Sequence, residues 1–231
     1  MLTRYEGRLG IVSTSRSGST YFRRYLCNHY GLADSKSWLK HNDYRSIDKE
    51  KFAQKPHILK ILPHYVLNEK VYEDMPCIWL YRKDTLTQFM SHVARLRTKV
   101  NHITDIKDRP VIEDGSLTAT VIEYERFQLK QIEFWQLYEK HGKEELLISY
   151  EDFLEQPNLI IKKINNKYEN LYQSEKRNLT QTVSLGILYR NKFKNFNEIK
   201  GWFNELKILF SINPSFWFLL CIRTYCKTFW F

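Results

Sequence analysis

The stretch Ile11-Val12-Ser13-Thr14-Ser15-Arg16-Ser17-Gly18-Ser19-Thr20 concentrates the residue types that grip an anion. An apolar run precedes it and a helical pattern follows, so the turn can present backbone N–H groups to a phosphate. The first N–H groups of a helix have no partner inside it and carry the positive end of its dipole. Gly18 permits close backbone approach, Ser15, Ser17, Ser19 and Thr20 add hydroxyl donors, and Arg16 adds a fixed positive charge. A nucleotide-triphosphatase loop, G-x-x-x-x-G-K-[ST], would have glycine at position 13 and lysine at position 19. Serine stands at both, and no strand ending in a magnesium-binding aspartate is evident. These departures weigh against a P-loop small-molecule kinase. A serine-rich turn that merely starts a helix is the plain alternative.

Two later segments carry further candidates. In Leu80-Tyr81-Arg82-Lys83-Asp84-Thr85-Leu86-Thr87-Gln88-Phe89-Met90-Ser91, two cations end an apolar run and a serine follows within a helical stretch. A strand-end cation and a helix hydroxyl can converge on one phosphate at the carboxyl edge of a parallel sheet. In Leu147-Ile148-Ser149-Tyr150-Glu151-Asp152-Phe153, Ser149 and Asp152 approximate a capping box at a helix start. That segment is read as fold information without chemistry.

The elements that must hold these groups follow from apolar pattern and punctuation. Strands are predicted at Leu9–Ser13, Ile58–Leu62, Cys77–Tyr81 and Leu146–Ser149. Helices are predicted from Thr20 to about Tyr30, where Gly31 supplies the stop, and over about Leu86–Arg97. Tyr124, Phe127, Phe134 and Tyr138 share one face of a long helix from Ala119 to about His141, widened by Ile132 and Trp135. Further helix is expected over Glu151–Lys167. Thr98–Leu117, with Pro110 and Gly115, reads as a loop or lid. Strands alternating with helices predict an α/β fold, a parallel sheet covered on both faces.

Ser15-Arg16-Ser17-Gly18-Ser19-Thr20 resembles the 5′-phosphosulfate loop of the P-loop sulfotransferases, most closely the bacterial trehalose-sulfotransferase-like branch and carbohydrate sulfotransferases. The segment around Arg82 and Ser91 resembles that family's 3′-phosphate motif, and Leu147–Phe153 its strand-then-Y-E-D segment. The three matches fall in order over Ile11–Phe153, about two thirds of the chain. The resemblance implies a three-layer P-loop-type fold with a central parallel sheet flanked by helices. It implies a PAPS-dependent enzyme, moving a sulfuryl group from 3′-phosphoadenosine 5′-phosphosulfate (PAPS) as co-substrate to a hydroxyl acceptor, with no metal. The donor's 5′ end falls to Ser15, Arg16, Ser17, Gly18, Ser19 and Thr20, with Arg16 stabilising charge at the leaving nucleotide. Its 3′-phosphate falls to Arg82 or Lys83, with Ser91. The family's usual Arg-to-Ser spacing of eight selects Lys83, while the trehalose-like branch shows a doubled basic pair.

The catalytic base is less determined. The family often ends its second strand with Lys and His; here Lys60 is kept, the usual His position is apolar, and His64 follows just beyond. The trehalose-like branch uses a Glu in the loop after the first helix, where this chain has Asp34, His41 and Asp43 instead. His64 therefore competes for the role with His41 or an Asp of that loop, and an inactive nucleotide-binding homologue is the alternative if none serves.

Composition agrees with an anionic ligand without selecting it. The 231 residues carry 36 Lys+Arg against 26 Asp+Glu, a net charge of +10, and 43% hydrophobic residues exclude a disordered polymer. Residues 1–50 hold nine bases and five acids, and residues 158–231 hold twelve and four, so the surplus lies at the two ends. The basic, aromatic run Tyr189-Arg190-Asn191-Lys192-Phe193-Lys194 is the only stretch suited to nucleic acid, and no nucleic-acid partner is expected. In a sulfotransferase the same run would close over the donor. The acceptor is expected to be a small molecule or glycan. Cys27, Cys77, Cys221 and Cys226 lack paired spacing and read as reduced thiols. With no apolar leader after Met1, a cytoplasmic protein is expected. Residues 1–207 form the expected P-loop domain. Residues 208–231 form an apolar aromatic tail, interrupted by Pro214, that docks on the protein or touches a membrane surface.

Overall fold

The computed structural model describes residues 8–32, 57–63, 69, 71–100, 111–168 and 189–212. The chain divides into two compact units, one of residues 1–83 and 130–184, the other of residues 84–129 and 185–231.

The first unit holds a four-stranded, all-parallel sheet in the order β2-β1-β3-β4. Its strands are β1 (Arg8–Ser13), β2 (His57–Ile61), β3 (Cys77–Tyr81) and β4 (Leu146–Ser149). Each is a short apolar run, and the period-2 alternation sends successive side chains to opposite faces. Leu9, Ile11, Ile58, Ile78, Leu80 and Ile148 share one face. There they pack with Phe22, Leu26, Phe153, Ile160 and Ile164 from α1 (Ser19–His29), α5 (Tyr150–Glu155) and α6 (Pro157–Lys167). Val12, Leu59, Ile61 and Trp79 share the other face with Tyr72, Phe134 and Tyr138. Those three come from α2 (Val71–Asp74), the end of α4 (Val121–Leu137) and the π-helical turn Tyr138–Gly142. The result is a three-layer α/β arrangement with apolar packing on both sides of the sheet.

Helix ends follow local chemistry. Gly31, at φ 66, closes α1: its N–H reaches the Asn28 carbonyl at 3.3 Å, and the Leu32 N–H reaches that of Cys27 at 2.7 Å. The Glu151–Lys167 stretch is two helices, because Pro157 opens α6 and cannot continue α5. Ser149 Oγ caps α5 by accepting from the Asp152 N–H at 3.0 Å.

The second unit contains α3 (Thr85–Thr98), the start of α4, a 3₁₀ turn at Arg190–Lys192 and α7 (Phe196–Ile212). Phe89, Tyr124, Phe127, Tyr189, Ile199 and Phe203 form its core. A capping box starts α4: Thr120 Oγ1 accepts from the Glu123 N–H at 3.2 Å, and Glu123 Oε2 accepts from the Thr120 N–H at 2.9 Å. Of the expected loop Thr98–Leu117, the described residues 111–117 are anchored. Leu117 forms a bridge with Phe193, the Gly115 N–H reaches the Asn191 carbonyl at 2.8 Å, and Lys192 pairs with Asp114 at 2.5 Å. No described helix is long and apolar enough to cross a membrane. Residues 213–231 of the expected tail lie outside the described residues, as do Cys221 and Cys226; Cys27 and Cys77 are buried free thiols.

Candidate functional site

The strand order determines where a ligand can be gripped. From β1 the chain crosses to β2 on one side, and β3 then lies on the other side of β1. The reversal makes the carboxyl end of β1 a switch point, where adjacent connections diverge and leave a crevice. The loop from Ser13 to Gly18 begins at that end and runs into α1.

Its backbone has the form of an anion cradle. Arg16 adopts φ 63 and Gly18 adopts φ 84, a pair of left-handed residues that turns the chain sharply before α1. Gly18 is the N-cap of α1 and offers no side-chain acceptor to the first-turn N–H groups, whose first intrahelical bond is Phe22 N–H to the Gly18 carbonyl at 3.0 Å. The hydroxyls of Ser13 and Ser17 are fully buried and have no hydrogen-bond partner. A buried polar group without a partner costs about 1–3 kcal/mol, so a bound anion that accepted from both hydroxyls would recover that cost. Ser19 is buried as well, while Ser15, Arg16, Gly18 and Thr20 are half-buried.

Neighbouring elements support the loop. Lys60, on β2, extends its Nζ to within 3.4 Å of Thr20 Oγ1. Gln131, a buried residue of α4, donates from Nε2 to Thr14 Oγ1 at 3.3 Å. The Tyr150 ring packs against Gly18, where a Cβ would lie 2.2 Å from ring carbon Cε2.

The two strand-end cations behave differently. Arg82 turns towards the loop: its Nη1 donates to the Arg16 carbonyl at 3.4 Å, and its guanidinium lies 5.6 Å from the centre of the Tyr150 ring. Lys83 turns to α5, where its Nζ pairs with Asp152 Oδ1. That bond raises the Lys83 ammonium and, together with the bond from Ser149, holds the Asp152 carboxyl below its usual range. Ser91 is buried on α3 in the second unit, and the Tyr189 hydroxyl donates to its Oγ at 3.4 Å. The basic run after Tyr189 is largely engaged: Lys192 with Asp114, and Arg190 over the Phe196 ring at 5.6 Å. His64, His41, Asp34 and Asp43 lie outside the described residues.

Sequence reasoning gave Tyr150 and Glu151 no chemistry and did not single out Gln131. A signal for the first two existed in the strand pattern: β3 and β4 pair in parallel with Tyr81 opposite Ser149, so Arg82-Lys83 and Tyr150-Glu151 leave the sheet side by side. Gln131 lies on the long apolar helix and had no such signal.

Among the described residues no group of three or more His, Cys, Asp or Glu could hold a metal ion. Comparison of the chain with protein-family models returns no match, and comparison with curated proteins returns none.

Proposed function

We propose that this protein is a sulfotransferase that takes 3′-phosphoadenosine 5′-phosphosulfate as donor and a hydroxyl compound, such as a carbohydrate, as acceptor. The observation that carries the reading is the pair of buried, unpartnered hydroxyls of Ser13 and Ser17 in a left-handed turn at the sheet's switch point. Serine at position 19, in place of the lysine that a kinase uses on its β- and γ-phosphates, favours sulfuryl over phosphoryl transfer.

The donor supplies the activated sulfuryl group. The loop amides with Ser15, Ser17, Gly18, Ser19 and Thr20 would hold its 5′ end, and Arg82 or Lys83 is the strand-end candidate for its 3′-phosphate. Arg16 is always protonated, so its contribution is a fixed positive charge where the leaving nucleotide gains negative charge. An acceptor hydroxyl needs a base near neutral pH, and His64 and His41 are the candidates.

The test is the release of adenosine 3′,5′-bisphosphate from the labelled donor in the presence of a panel of sugars and other alcohols. Acceptor-dependent release that Arg16→Ala abolishes is expected. Full turnover in Arg16→Ala with unchanged donor affinity would contradict the role given to Arg16. Replacing His64 and His41 singly and comparing pH–rate profiles assigns the base; two unaltered profiles eliminate both.

A further inference from the structure

The Y-E-D segment follows β4 directly and opens α5. Its first two residues lie against Gly18, Arg82 and Lys83. The Tyr150 ring is the floor beneath Gly18 and lies against the Arg82 guanidinium. The Glu151 carboxylate spans the end of β3: Oε2 accepts the Lys83 backbone N–H at 2.9 Å, and Oε1 lies 3.5 Å from Arg82 Nε. Arg82, held between that carboxylate and the ring, reaches Arg16 at the carbonyl of the left-handed residue that turns the loop.

We propose that Glu151 is a positioning residue for the anion loop, acting through Arg82, and that Arg82 serves the 5′ side of the nucleotide by fixing the Arg16 turn. The inference rests on the reading that the loop binds a nucleotide phosphate. Tyr150 completes the arrangement by restraining Arg82 from below. Held in this way, Arg82 keeps the Arg16 carbonyl turned aside, which leaves the following N–H groups free to face an anion. Of the two strand-end cations, only Arg82 is committed to this task, because the Lys83 side chain is paired with Asp152.

The sign of one substitution separates positioning from simple electrostatics. A carboxylate near a bound phosphate repels it, so on charge alone Glu151→Gln should tighten binding. If Glu151 aims Arg82, the same substitution weakens binding, because a neutral amide loses the charge attraction that holds the guanidinium 3.5 Å away. Glu151→Gln keeps an acceptor for the Lys83 N–H, which protects the fold where Glu151→Ala would not.

Calorimetric titration with adenosine 3′,5′-bisphosphate and with adenosine 5′-monophosphate, on the full chain, provides the test. Glu151→Gln and Arg82→Gln should each weaken both nucleotides by the same factor, about tenfold, and the double variant should bind no worse than Arg82→Gln alone. Melting temperatures measured alongside should not track the affinity loss. Glu151→Gln binding as well as or better than wild type overturns the proposal. So does weakening confined to the bisphosphate, which would place Arg82 at the 3′-phosphate. Wild-type protein that binds neither nucleotide removes the functional reading itself; wild-type binding with an indifferent Glu151→Gln removes this inference alone.

Discussion

Gly18 and Tyr150 are packed so closely that the glycine's missing side chain is occupied by the tyrosine ring: a Cβ on Gly18 would meet ring atoms at 2.2, 2.3 and 2.6 Å. The backbone there is also left-handed, at φ 84. One contact thus joins the end of β4 to the start of α1 and gives the turn its shape. Gly18→Ala must strain the backbone and displace the ring, at a combined cost of about 2–4 kcal/mol. Urea denaturation should show that loss, and a change below about 0.5 kcal/mol would mean that the ring yields freely.

Ser17 allows stability and binding to be separated. Its hydroxyl is buried without a partner, so Ser17→Ala removes a desolvation cost and should leave the free protein as stable as before, or more stable by up to about 1 kcal/mol. On the proposed function the same change removes a donor to the phosphate and should weaken adenosine 3′,5′-bisphosphate about tenfold. Thermal melts and titrations on one preparation check both halves. A destabilised variant with unchanged affinity would show that the hydroxyl serves packing only.

Glu123 predicts a pH dependence of stability. Burial pushes its carboxyl up, but Arg97, bound at 2.7 Å, and the Thr120 donors outweigh burial and hold it below the usual 4.5. A carboxyl whose folded pKa is depressed adds stability above its unfolded value, and that stability fades as pH falls through the folded value. Glu123→Gln should cost about 1 kcal/mol at neutral pH and flatten the acid side of the stability profile below about pH 4.5. An unchanged acid limb would contradict the ion pair.

Phe134 anchors the sheet face opposite α1. It is almost fully buried, with its ring centre 5.5 Å from that of Trp79. Phe134→Ala should cost about 3–5 kcal/mol in urea denaturation, and a loss under about 1 kcal/mol would show that this layer repacks without penalty.

The strands were legible because each is a compact apolar run with turn residues at its ends; β3 and β4 fall on Cys77–Tyr81 and Leu146–Ser149 as expected. The stop of α1 was legible because Gly31 alone can take the left-handed turn cheaply. Which strand-end cation faces the loop was not, since Arg82 and Lys83 are adjacent and the choice depends on Tyr150, Glu151 and Asp152, brought alongside by the pairing of β3 with β4. Nor was the anchoring of residues 111–117, which depends on Asn191, Lys192 and Phe193, far along the chain. A helix pattern predicted α4 through to its end but not the π-helical turn at Tyr138–Gly142, where a Cβ on Gly142 would lie 2.4 Å from Tyr138 Cδ2 and 2.7 Å from the Trp79 indole.

Calorimetric titration with adenosine 3′,5′-bisphosphate beside ATP tests most directly whether the Ser13–Gly18 turn takes the phosphate of a 3′-phosphorylated adenine nucleotide. Saturable binding of the bisphosphate, tighter than that of ATP, is the predicted result. Preference for ATP, or no binding of either, would contradict it.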